Sequence, residues 1–383
     1  MKIVIIGTAY PMRGGIAHYV ALLYKTLIKH GHEVKIISFK RQYPAIFFPG
    51  KTQQDLSEET EQLPSEPILD SIGPLSWIKT FLKIYKYQPD LIIYKYWMPF
   101  FAPCYAAVSF LTRLLTKTKI MYICDNIVPH ESRPEDRFLT RIGLWNVHYF
   151  IVMSNIVKQS LLYYRPQANY REAPHPVYDH FQDNYTREKA RQELNLKKND
   201  NVILFFGYVR QYKGLHILLQ AMPLLLKEMD VKLVVAGEFY DKKENYTSII
   251  EELNIQDSVS IFDDYIPNEK VGMFYSAADV VVLPYITATQ SGIIQIAYNY
   301  NKPVITTNVG GLPEVVDEGK TGFTVPPENP DELAQAVLKF FKLNKRDNFS
   351  KNVRVYKKRF SWERLAEEIE SFAHADQKPT RIK

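Results

Sequence analysis

Short runs of Ile, Val, Leu and aromatic residues recur along this chain, with polar, helix-like stretches between them. KIVIIG (2–7), EVKIISF (33–39), DLIIYK (90–95), KIMYIC (119–124) and YFIVMS (149–154) are each of strand length and apolar on both faces. A strand covered by helices on both sides reads this way, so these runs predict a parallel sheet. Between the first two, IAHYVALLYKTLIKHG puts Ile16, Val20, Leu23, Leu27 and Ile28 on one helical face, and Gly31 supplies the stop. The rhythm restarts with NVILFFG (201–207), VKLVVAG (231–237), SVSIFD (258–263), DVVVLP (279–284) and KPVITT (302–307).

Two successive doubly wound α/β units follow from this repetition, and 383 residues suit two domains better than one core. APHPVYDHFQDN (173–184), with its two prolines, predicts the join. The first domain is expected over 1–175 and the second over 180–358, with a terminal helix near 361–375 packing back on the first. Residues 42–72, rich in acids and prolines, read as a long functional or mobile loop. The tail DQKPTRIK reads as frayed.

Composition changes this picture in two ways. A hydrophobic share of 46% against 23% charged residues excludes a disordered chain, and Cys104 and Cys124 provide neither a disulfide framework nor zinc spacing. MKIVIIGTAYP reads as a first buried strand rather than a signal peptide, and PFFAPCYAAVSFLT (99–112) falls short of the roughly 18 residues of a spanning helix. A cytoplasmic location is expected. Charge is uneven: residues 1–180 carry 21 Lys+Arg against 14 Asp+Glu, net +7, whereas 181–383 carry 27 against 28, net −1. The basic half is expected to meet an anionic substrate or the inner membrane face, through YKYWMPFFAP (94–103) and LTRLLTKTK (111–119). No nucleic-acid partner is expected.

Candidate chemistry gathers where predicted strands end, the edge at which open α/β sheets bind ligands. Gly14 and Gly15 precede a helix whose free N–H groups suit an anion, but the spacing is not the GxGxxG fingerprint, which argues against a dinucleotide enzyme. Asp125, Asn126, His130 and Glu131 follow KIMYIC. In FFGYVRQYKG, Gly207 ends a strand, and Arg210 and Lys213 offer a planar fork and a point charge to phosphate oxygens. Ser291 and Gly292 open a further helix, with Thr289, Gln290 and Gln295 placed for ribose or sugar hydroxyls. Asp263 and Asp264 point to opposite faces of a strand and read as turn residues, so no metal site is expected.

RGGIAHYV, GYVRQYKGLHILLQA, AGE (236–238), SAADVVVLPY (276–285) and NKPVITTNVGGLPEVVDEGKTGF (301–323) together resemble family 4 of the glycosyltransferases, retaining enzymes of the GT-B fold. The resemblance implies two Rossmann-like domains facing across a cleft. It implies a UDP- or GDP-linked sugar as donor, no cofactor, and a lipid-linked or polysaccharide acceptor. Arg210 and Lys213 would meet the diphosphate, Asp125 and His130 the sugar or acceptor, and Glu238 would join the donor site. Two departures stand out. The family's paired glutamates fall at Ala288 and Ile296, and its histidine after the fourth strand falls at Asp125. A nucleotide-sugar epimerase of the same fold, which needs no acceptor, and a catalytically inactive partner are the alternatives. Sugar transfer to an acceptor excludes both.

Overall fold

The structure is a computed structural model that describes residues 1–44, 52–55, 57–58, 63–128, 134–181, 184–343 and 346–375. Two parallel sheets organise it. The first contains β1 (Lys2–Ile6), β2 (Glu33–Arg41), β3 (Ser65–Asp70), β4 (Leu91–Tyr96), β5 (Lys119–Cys124), β6 (Tyr149–Val152) and β7 (Tyr170–Glu172), in the order β3-β2-β1-β4-β5-β6-β7. The second contains β8 (Val202–Phe206), β9 (Lys232–Ala236), β10 (Val259–Phe262), β11 (Val280–Leu283), β12 (Val304–Thr307) and β13 (Gly322–Val325), in the order β10-β9-β8-β11-β12-β13. Chain direction around each sheet reverses between β1 and β4 and between β8 and β11, so each domain has one switch-point crevice.

The central strands are buried along their whole length, as β4 and β8 are, because helices cover both faces. Three strands escape the apolar-run criterion. β3 carries Pro67, which an edge strand tolerates because no ladder needs its missing N–H. β7 (YRE) and β13 (GFTV) are too short or too polar to register. β3 also places ordered structure inside 42–72, part of which lies outside the described residues. The first helix, Gly15–Lys29, buries Tyr19, Leu22 and Thr26 together with Val20, Leu23 and Leu27. Ile28, expected on that face, is 43% exposed, because the buried arc is centred between Tyr19 and Leu23.

Two strands of chain join the domains side by side. Val177 N–H donates to Phe360 O at 2.9 Å, and Trp362 Nε1 donates to Val177 O at 2.8 Å. The terminal helix Trp362–Ala375 then packs on the first helix: Trp362 meets Tyr19 edge-to-face at 4.9 Å, and Glu370 pairs with His30 at 3.0 Å and His32 at 2.8 Å. YKYWMPFFAP is not a surface segment. Tyr94, Tyr96, Phe101 and Ala102 are fully buried, since the run is β4 and the start of the helix Ala102–Leu115.

Candidate active site

The carboxyl ends of the two sheets face each other, and a cavity lies between them. Gly14, Gly15 and His18 line it from the first domain, Tyr178 from the connection, and Gly207, Lys213, Glu238 and Gly292 from the second. Two helices from opposite domains, Gly15–Lys29 and Gly292–Asn299, therefore open onto one space with their amino ends. Each supplies free N–H groups and the positive end of its dipole. Tyr178 stands between these ends. A Cβ on Gly15 would lie 3.1 Å from its Oη, and one on Gly292 would lie 3.1 Å from its Cε2, so the absence of side chains at both positions lets the helices close on the ring. Tyr178 Oη also donates to Gly15 O at 3.0 Å.

Lys213 brings the cation. It follows β8 in a single 3-10 turn, Gln211–Lys213, and Gly214 turns the chain into the next helix in the left-handed region at φ +71°. A Cβ at Gly214 would fall 1.9 Å from Pro284 O, so the turn is pinned against the loop after β11. Lys213 is only 8% exposed, and among the described residues no carboxylate lies within ion-pair distance of it. Burial, with the nearby Arg210 charge adding to it, pulls the ammonium down to about 7. Arg210 stacks its guanidinium on Tyr240 at 4.9 Å. A buried lysine beside an arginine, facing two helix amino ends, is a cradle for an anion of more than one charge.

Glu238 does not point at open space. Arg13, from the loop before Gly14, reaches across the cleft to it at 2.5 Å, with both side chains almost fully buried. The Arg13 guanidinium also lies 4.7 Å from the Tyr265 ring and 5.7 Å from Tyr208. Glu238, expected at the donor site, lines the cavity, and its carboxylate is engaged by a cation of the other domain.

The loop after β11 clasps the first domain. Gln290 Nε2 donates to Asp125 Oδ1 at 2.6 Å, and Thr289 Oγ1 bonds Asn126 Oδ1. Asp125 Oδ1 also holds Lys95 Nζ at 2.6 Å, and Lys95 lies 3.4 Å over the Tyr19 ring. Burial pulls the Lys95 ammonium below its ordinary range despite Asp125. Thr289, Gln290 and Asp125 thus hold the domains together, where ligand hydroxyls were expected as their partners. Gln295 is 1% exposed inside the helix Gly292–Asn299 and does not line the cavity. Ser291 is the residue before that helix and is 7% exposed. His130 and Glu131 lie outside the described residues. Asp263 pairs with Lys243 at 2.6 Å.

Sequence reasoning passed over Arg13, Lys95 and Tyr178. A lysine closing the apolar run DLIIYK was a usable signal, since a charge in a doubly covered strand needs a partner. Tyr178 and Arg13 carry no such mark.

Residues 186–356, which build the second sheet and its helices, match the sequence profile described as glycosyl transferases group 1. This domain is similar to that family over 171 of the 383 residues of the chain. An uncharacterised glycosyltransferase of Methanocaldococcus jannaschii is 29% identical over 181 residues, 46% of each chain. A D-inositol 3-phosphate glycosyltransferase of Corynebacterium urealyticum is 29% identical over 190 residues, 48% of this chain and 45% of that one. The match spans about half the length of these curated relatives. The whole chain superimposes on the structure of Anabaena HepE in complex with UDP, with a TM-score of 0.75 and 17% identity, over 98% of this chain and 100% of that one. The fold of the chain is GT-B.

Proposed function

We propose that this chain transfers a sugar from a nucleoside diphosphate sugar to a hydroxyl acceptor, with retention at the anomeric carbon. One observation carries the reading: Lys213 is buried without a carboxylate partner among the described residues, in a cavity onto which two helix amino ends open. A protein gains nothing in stability from such a lysine, so its placement favours an anionic ligand. The family match and the complex of HepE with UDP make a nucleotide sugar the natural candidate.

In the reaction the anomeric C–O bond breaks and the diphosphate departs with the electron pair. The acceptor oxygen bonds to the anomeric carbon, and its proton leaves with the diphosphate. Negative charge grows on the departing group, so Lys213 and Arg210 act more strongly in the transition state than in the ground state. These two cations supply the charge compensation that a divalent ion supplies elsewhere, which motivates a metal-independent reaction. The acceptor would approach from the first domain, and a lipid-linked or polysaccharide precursor suits its basic character. Calorimetry with UDP, GDP and ADP in excess chelator tests the reading. Binding of one of them is the expected result, and failure of all three with folded protein overturns it.

A further inference from the structure

One helical layer of the first domain is apolar on its outer surface as well as on the face it turns to the sheet. The helices Pro74–Tyr87, Ala102–Leu115, Pro134–Leu144 and Asn155–Tyr164 cover the same face of the first sheet, where Ile84, Tyr105, Leu144 and Leu161 join one core cluster. Their outer surface is rich in large apolar side chains. Among the described residues, twelve of the fifteen exposed large hydrophobics lie between Ile72 and Tyr163. A single exposed Leu is ordinary; this concentration on one layer is not.

The helix Pro74–Tyr87 shows the pattern most clearly. Thr80, Phe81 and Ile84 face inward. The opposite face carries Leu75 at 76% exposure and Leu82 at 55%, with Ile78 and Tyr85 beside them. At 100° per residue these four fall within one arc of about 80°. Exposed Lys79, Lys83 and Lys86 flank the arc on one side; Lys83 pairs with Glu66 of β3 at 2.6 Å, and the helix itself contains no acidic residue. The next helix, Ala102–Leu115, repeats the theme with Phe110, Arg113 and Leu114 exposed and again no acid. Phe110 stacks on the exposed Trp145 at 6.1 Å.

We infer that this layer docks on an anionic lipid bilayer, with Leu75, Ile78 and Leu82 entering the headgroup boundary and Lys79 and Lys86 on lipid phosphates. Apolar side chains interleaved with cations, on a helix lying flat on its domain, match the chemistry of that interface. A second copy of the chain fits poorly, because pairing this face with itself would oppose lysine to lysine without a carboxylate on either helix. The stripe starts at Pro74, just beyond the carboxyl end of β3, which is the sheet edge that faces the cavity. A bilayer there lies alongside the cleft. The inference goes beyond the proposed transfer reaction and does not depend on it.

Sedimentation with vesicles of phosphatidylcholine alone, or mixed equally with phosphatidylglycerol, tests this without any donor present. Two lysines near an anionic surface predict about a thirtyfold preference for the mixed vesicles at low salt, falling as salt rises. Leu75→Ser/Leu82→Ser should lower partitioning at least tenfold, and Lys79→Glu/Lys86→Glu should abolish the preference. Both pairs of residues are exposed, so melting temperatures should stay within a degree or two, and nucleotide binding should be unchanged. Failure to bind mixed vesicles, binding that neither variant alters, or a dimer in analytical ultracentrifugation that the leucine variant dissolves would each overturn the proposal.

Discussion

Lys213 should make nucleotide binding depend on pH in a way that no surface lysine would. Its ammonium is drawn down to about 7 by burial, with Arg210 adding to the effect. A bound diphosphate supplies the missing counter-charge and should restore the group to at least its ordinary range near 10.4. Binding above pH 7 must then take up a proton. Half of the free protein carries the proton at pH 7 and about one part in a hundred at pH 9, so affinity should fall about 50-fold, or about 2.3 kcal/mol, over that interval. The ligand itself adds little, because a terminal phosphate is already ionised above its second pKa of ~6. Burial pushes the neighbouring Tyr178, Tyr208 and Tyr265 upward and holds His180 down at about 2, so these four groups stay fixed over the interval. Calorimetry in buffers of different ionisation enthalpy reads both quantities, with uptake rising from about half a proton at pH 7 to nearly one at pH 9. Lys213→Arg, charged throughout, should flatten the profile. A wild-type affinity that stays level from pH 7 to 9, with no proton uptake, refutes the argument.

The same lysine should destabilise the unliganded fold. Because its folded value lies below the unfolded one, the native state binds fewer protons between about 7 and 10.5, so stability should rise with pH through that window. Lys213→Met should raise the melting temperature more at pH 6 than at pH 9; equal shifts count against this. Lys95→Met leaves Asp125 buried without its cation and should cost about 3–5 kcal/mol in denaturant unfolding, with Lys95→Met/Asp125→Leu recovering most of it. Additive losses in the double variant would show that the pair is not coupled. Gly214→Ala places a Cβ 1.9 Å from Pro284 O at a left-handed backbone position, and should cost ~3 kcal/mol or more while weakening nucleotide binding. A normal melting temperature there would mean the turn relaxes freely.

Of the thirteen strands among the described residues, ten are visible as apolar runs, because a parallel strand covered on both faces can hardly be written otherwise. Those that were not visible have physical reasons. β3 tolerates Pro67 at an edge, β7 has only three residues with two of them charged, and β13 (GFTV) has just two apolar side chains, split by Thr324. Lys213 and the two glycine positions were legible, since strand-end loops with cations and helix starts carry local signals. The partners of Asp125, Thr289, Gln290 and Glu238 were not legible. Arg13 meets Glu238 across 225 positions of sequence, and Gln290 meets Asp125 across 165, so these contacts depend on how the two domains face each other. The helix Pro74–Tyr87 hides its orientation for another reason. It is apolar on two sides, and its pattern does not say whether Leu75 and Leu82 or Phe81 and Ile84 turn inward.

Release of nucleotide from a UDP- or GDP-linked sugar in excess chelator, measured for wild type and Lys213→Ala beside the nucleotide Kd of each, tests the central claim most directly. Loss of a hydrogen bond to a charged group predicts a Kd weakened by about 10- to 150-fold. Loss of a donor that acts on charge growing in the transition state predicts turnover lower by about 10²–10³ in rate, with a melting transition that shows the variant folded. Turnover in Lys213→Ala close to that of wild type would contradict the account.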